Sequence, residues 1–191
     1  AVYMRSKDIV CVLFISLVLA SCIGGLAKET SGTAEGNLAM PRENLPEGFK
    51  FVASLPDPDG RVNMPDGIED FYGELDIGLV DTANISVGIY QWADMGLAYD
   101  ARITMIRLSD EEKADNAISN FKSEYDEMVA RGLPIFGNAT VNGHPSLQIK
   151  DVRGDNSIRY LFLWRAGSLV TLVEGNQDRN QSLELAEATL L

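Results

Sequence analysis

The chain has 191 residues and a formal charge of −12, with 28 Asp and Glu against 16 Lys and Arg. Neutralising phosphates needs a clustered basic footprint, and none is present after residue 21, so no nucleic-acid partner is expected. A single histidine excludes any multi-histidine zinc centre within one chain.

The chain opens on a short basic stretch with Arg5 and Lys7, followed by the apolar run Ile9 to Ala20. Ala1 is not an initiator, so the natural start is expected at Met4, or at Val2 through a non-standard codon. A run of twelve residues falls short of the roughly 20 that cross a bilayer as a helix, and matches the core of a secretory signal. Residues 1–21 are therefore expected to be a signal peptide. Leu19-Ala20-Ser21-Cys22 resembles the lipobox of prokaryotic lipoproteins. The resemblance implies a diacylglyceryl group on the Cys22 thiol and cleavage before it. The mature chain would carry a charge of −13 once Arg5, Lys7 and Asp8 leave with residues 1–21. Its one remaining cysteine would be alkylated, so the exported domain would rely on its core without a disulfide. Residues 22–46 are rich in Gly, Ala, Thr, Ser and Glu without apolar periodicity, which predicts a flexible tether. A single domain is expected over 47–191.

Within it, residues 49–54 predict a short strand and 57–67 a turn-rich stretch. Residues 74–80, 84–93 and 101–108 predict strands, being β-branched and aromatic. Ser109 and Glu112 form a capping-box pattern, followed by Ala114, Ala117, Ile118, Phe121, Tyr125, Met128 and Val129 at helical period. One long central helix is expected there, ended by Gly132 and Pro134. Asn142-Gly143 predicts a hairpin turn. A paired "SIRYLFLW" and "SLVTLV" follow, joined through Gly167 in a type I turn with a bulge. Ile158, Tyr160, Phe162 and Trp164 make one face of the first strand strongly apolar; the other is mixed, as in a sheet half covered by a helix. Asp178 and Gln181 predict the cap of a C-terminal helix over 180–191. No capping residue follows it, so a truncated end is expected. Together these predict an α+β sandwich: a mostly antiparallel, meandering sheet of six to seven strands, a long central helix and a C-terminal helix.

The hairpin "NGHPSLQI", the paired "YLFLWRAGSLVTLV" and the Ala-rich last helix resemble exported domains of the PsbP/Mog1/LpqN-like kind over about residues 85–190. That class includes accessory lipoproteins and assembly factors, many of them without catalysis. The likeness is one of pattern, so it carries no functional residue over.

Motifs for chemistry are sparse. No HExxH, GxSxG, Walker loop or GxGxxG occurs, and no cofactor is expected. His144, between Gly143 and Pro145, reads as an exposed turn residue. Asp57, Asp59 and Asp66 head an acidic stretch to Asp81 that could hold a hard cation. The "DPDG" there departs from an EF-hand loop, which would start at Leu55 without its first ligand and end at Asp66 in place of Glu. A solvated acidic loop accounts for it as well. Asn84, Asn138 and Asn180 begin N-x-S/T sequons, acceptors for glycans in an N-glycosylating host. Arg153-Gly154-Asp155 spells an adhesion motif that turn chemistry alone explains. Trp92 and Tyr99 flank an apolar loop and are candidates for a pocket.

The expected function is that of a lipoprotein held to the membrane through Cys22 on the extracytoplasmic face, binding an envelope protein or small ligand without catalysis. The alternatives are a carboxylate-dependent hydrolase of envelope glycans, which needs two acids facing one cleft, and a cation-stabilised structural protein. Intact mass of membrane-extracted protein is expected to show an N-terminus at Cys22 with added acyl mass. Cys22→Ala should lose that mass and the membrane association together; an unmodified chain that keeps residues 1–21 would refute the lipobox reading.

Overall fold

Strand formation follows the period-two alternation that sends neighbouring side chains to opposite faces. It produces β1 (Phe49–Leu55), β2 (Ile85–Asp94), β3 (Leu97–Arg107), β4 (Phe136–Val141), β5 (His144–Val152), β6 (Ile158–Ala166) and β7 (Leu169–Glu174). The computed structural model describes residues 38–55, 68–94, 97–152 and 157–190, with backbone alone for 94 and 97–99. The strands form one seven-stranded sheet in the order β1-β2-β3-β7-β6-β5-β4. Every pairing is antiparallel. Two meanders, β1-β2-β3 and β4-β5-β6-β7, are thus sewn together by the pairing of β3 with β7.

Helix α1 (Glu111–Ser123) and the short α2 (Asp126–Ala130) connect β3 to β4, and α3 (Arg179–Glu187) follows β7. On one face of the sheet, Ile106, Leu161, Leu163, Val170 and Leu172 pack with Ala114, Ala117 and Phe121 of α1. On the other, Ile103, Met105, Phe162, Trp164 and Val173 pack with Leu185 and Ala186 of α3. All six residues of β7 are buried, as a central strand covered on both faces requires. Both faces are therefore covered, where the mixed face of β6 predicts a sheet covered on one side. Burying this much apolar surface, at roughly 25 cal/mol per Å2, is the main source of stability.

Residues 38–45 add a strap on the α3 side. Leu38, Met40 and Leu45 join that apolar cluster, and the Tyr90 hydroxyl donates to the Pro41 carbonyl at 2.8 Å. Met40 lies over Gly88, where a Cβ would meet its Sδ at 2.9 Å.

Two turns are as predicted in residue type. Asn142 and Gly143 have φ of 48° and 88° between the paired Val141 and His144, the arrangement of a type I′ turn. Gly167 has φ of 60°, but Ala166 pairs directly with Leu169, so the loop is two residues long and has no bulge.

Three expectations fail. Residues 74–80 form no strand; the segment is irregular, turned at Gly78 with φ of 75°. Its backbone is bound to α1 instead of a neighbouring strand. The long central helix is two segments on one face of the sheet. Ser123 Oγ donates back to the Asn120 carbonyl at 2.6 Å, a competitor for helical bonding, and Tyr125 takes φ −101° and ψ 2°. After this break Val129, predicted to be in the apolar stripe, is exposed. The α1 cap is Asp110, not Ser109: its Oδ1 accepts the Lys113 N–H at 2.8 Å, while Ser109 Oγ donates to Oδ2.

Asn120, 3% exposed, accepts from the Leu75 N–H and donates to the Phe71 and Leu75 carbonyls. Asn120→Ala strands these backbone groups and is expected to cost about 2 kcal/mol, lowering Tm by about 4–8 °C in thermal unfolding. The bond from Lys113 N–H, then that from Ser109, holds the Asp110 pKa below its ordinary 3.8. A depressed carboxyl stabilises fully above its unfolded pKa, and that stability is lost as pH falls through the folded value. Asp110→Ala should therefore be less stable at neutral pH and show a flatter loss of Tm below about pH 4.

Candidate functional site

Four charged residues sit on the α1 face at one end of the sheet, one from each of four adjacent strands. They are Arg102 on β3, Glu174 on β7, Arg159 on β6 and Asp151 on β5. Register brings them together: Arg102 lies opposite Glu174 and Asp151 opposite Arg159. Glu174 lies opposite Leu161, which makes Arg159 its diagonal neighbour.

Charge alternates along this row. Glu174 Oε2 accepts from Arg102 Nε, and its Oε1 from Arg159 Nη2 at 2.8 Å. Arg159 Nε reaches Asp151 Oδ2 at 2.8 Å. Glu174 is 3% exposed, and a carboxylate that deep needs partners. Burial works against the charge of Arg159, but Glu174 and Asp151 outweigh it and raise its pKa above the ordinary arginine value. Tyr125, at the break between α1 and α2, is buried against Phe121 and Phe136. Burial first, then the Asp151 charge, pushes its phenol well above the usual tyrosine range.

Over the row opens a pocket of about 370 Å3 lined by Ile89, Asp100, Ala101, Arg102, Arg159 and Glu174. Arg102 spends its Nε on Glu174, and among the described residues its two Nη groups have no protein partner. Arg159 spends Nε and Nη2, which leaves Nη1. Each Glu174 oxygen accepts from one arginine, so the carboxylate orients both guanidinium groups. A planar guanidinium with two adjacent free N–H groups matches the two oxygens of a carboxylate.

None of the described residues singled out by sequence lines this pocket. Cys22, Asp57, Asp59, Asp66 and the Arg153-Gly154-Asp155 triplet fall outside the described residues, as does the side chain of Tyr99. Trp92 is buried at 9% exposure in the α3-side core; β2 and β3 continue past it, with Trp92 paired to Tyr99. It is a core residue and does not line the pocket. His144 is half-buried at the start of β5. Of the sequons, Asn138 and Thr140 are both exposed on the edge strand β4. Asn84 is half-buried, and the Ser182 that completes the Asn180 sequon is buried, its hydroxyl bonded to Asn176 and Asp178. Among the described residues no group of three His, Cys, Asp or Glu is placed to hold a metal, and no helix is long and apolar enough to cross a membrane.

No protein-family model matches the chain, and no match emerges among curated proteins or solved structures.

The row escaped sequence reasoning because its members are scattered from 102 to 174. The signal present was charge at inward positions: Arg159 on the mixed face of β6, and Glu174 closing the apolar run of β7. Glu174→Gln leaves two arginines without their shared anion. With partial solvent access at both, the expected loss is on the order of 3 kcal/mol in urea unfolding. A loss below about 0.5 kcal/mol would show that the row does not anchor the sheet end.

Proposed function

We propose that the protein is a membrane-anchored extracytoplasmic lipoprotein whose domain is a non-catalytic binding module for a small carboxylate-bearing ligand. The anchor rests on the signal pattern and the Leu19-Ala20-Ser21-Cys22 lipobox. The resemblance to PsbP/Mog1/LpqN-like exported domains implies an accessory role of the same kind.

One observation carries the binding reading. Glu174 fixes Arg102 and Arg159 by their Nε and Nη2 edges and leaves N–H groups over at a pocket with Ile89 and Ala101 on its wall. A buried carboxylate thus preorganises the donors before a ligand arrives, which lowers the cost of binding. Asp100 on the same wall disfavours a dianion and favours a ligand with one carboxylate, or with an ammonium beside it.

Calorimetric titration of the full chain in detergent with acetate, succinate, glutamate and inorganic phosphate tests this. A monocarboxylate or amino acid should bind, and Arg102→Gln should weaken it at least about tenfold, the loss of one charge-assisted pair, measured below the lowered Tm expected when Glu174 loses one of its two donors. Absence of binding by every carboxylate, or equal binding by Arg102→Gln, would refute it.

A further inference from the structure

Residues 72–81 lack regular structure, yet α1 clamps them at several points. Asn120 holds Leu75 by both its N–H and its carbonyl, at 3.0 and 2.8 Å. Asn116 Nδ2 donates to the Asp76 carbonyl at 2.9 Å. Lys113 Nζ donates to the same carbonyl at 3.0 Å and to Asp76 Oδ2 at 2.6 Å. Asp76 Oδ1 in turn accepts the Gly78 N–H at 2.8 Å. Ile77 is 3% exposed and pinned into the core, whereas Leu79, two residues on, is 102% exposed.

A lone exposed leucine is ordinary. Leu79 differs because it stands shortly after Leu75 and Asp76, which five hydrogen bonds with α1 side chains hold in place, and two residues after the buried Ile77. Anchoring on the residues just before it lowers the conformational cost of presenting it to a partner. Beside it lies a concavity of about 390 Å3, walled by Ile77, Leu79, Val80, Asn84, Arg107 and Leu108. Arg107 is engaged within the protein. Tyr72 and Leu75 on the same segment are also exposed, at 43% and 44%.

Charge selects what can cover this surface. Residues 69–81 contain Glu69, Asp70, Glu74, Asp76 and Asp81 and no Lys or Arg, and all five acids are exposed. Glu111 and Glu112 at the start of α1 add to them. An anionic lipid surface is repelled. A second copy brings the same acids and a charge of −12. The chain's own residues 22–37 carry Lys28 against Glu29 and Glu35, which gives them no basic character. The remaining match is a partner that is cationic around an apolar centre.

We infer that the 72–81 loop docks a basic amphipathic segment of a partner protein. An apolar side chain of that segment enters the concavity beside Leu79, and its Lys or Arg residues face Glu74 and Asp81. The inference is independent of the carboxylate pocket, whose lining shares no residue with this concavity.

Fluorescence anisotropy of a labelled 15-residue peptide with Leu and Lys at helical spacing, titrated with the full chain in detergent, tests it. Two controls are a peptide with Glu in place of Lys and vesicles containing anionic phosphatidylglycerol. The Lys peptide should bind and the Glu peptide should not. Leu79→Ser and Glu74→Gln change exposed side chains outside the clamp and should keep the wild-type Tm. Leu79→Ser should weaken binding at least about tenfold, as loss of a central apolar anchor does. Glu74→Gln should weaken it and reduce its salt dependence. Absence of Lys-peptide binding, binding unchanged in Leu79→Ser, or equal binding of the Glu peptide would overturn the inference. So would vesicle binding or self-association that depends on Leu79, since either assigns the surface to a different occupant.

Discussion

Glu174 is the constraint around which the sheet is arranged. It closes a strand buried along its whole length, at the point where apolar residues would be the cheaper choice. A carboxylate in that position is tolerable only with donors on both sides. Arg102 and Arg159 supply them from the two strands that flank β7. The two meanders meet at β3 and β7, so this ionic contact sits on the seam between them. A slip of one residue in the β3–β7 register would send Arg102 to the opposite face and leave the acid with Arg159 alone. The row therefore specifies register as well as contributing stability, and the donors it leaves over are a by-product of holding the seam.

The two coverings of the sheet are fastened differently. On one side α1 packs through small residues, Ala114 and Ala117, which let it approach closely, with Phe121 filling the end near Phe71. Its polar face is used as well: Asn116, Asn120 and Lys113 reach sideways to bind the 72–81 loop. Arg165, beside the β6–β7 turn, reaches Glu111 and Asp115 at 2.9 and 2.6 Å. These last pairs are solvent-exposed and contribute little individually. On the other side α3 is fixed through its N-terminus. Asp178 caps Asn180 and Gln181, and the buried Ser182 hydroxyl bonds Asn176 and Asp178.

What could be read from sequence was local. Asn142-Gly143 and Gly167 marked their turns because a positive φ leaves few residue choices. The α1 stripe was legible because four alanine and aromatic positions recur at helical period. The 74–80 segment misled for the same reason: alternation there arises because Ile77 turns in and its neighbours turn out, and a loop clamped to a helix alternates as a strand does. The break at Ser123 rests on a side-chain bond back to Asn120, which no periodicity records. Neither did any local pattern place β7 in the centre or bring residues 102, 151, 159 and 174 into one row. That depended on which strand edges remained free once the hairpins had formed.

The strap at 38–45 sets a mechanical boundary condition. Leu38, the first described residue, lies sixteen positions after Cys22. Tension along the chain would reach the sheet through Met40 over Gly88 and the Pro41–Tyr90 bond, near the β1–β2 edge. The strap would thus take up a pull at β2 before it is passed to the β3–β7 seam at Glu174.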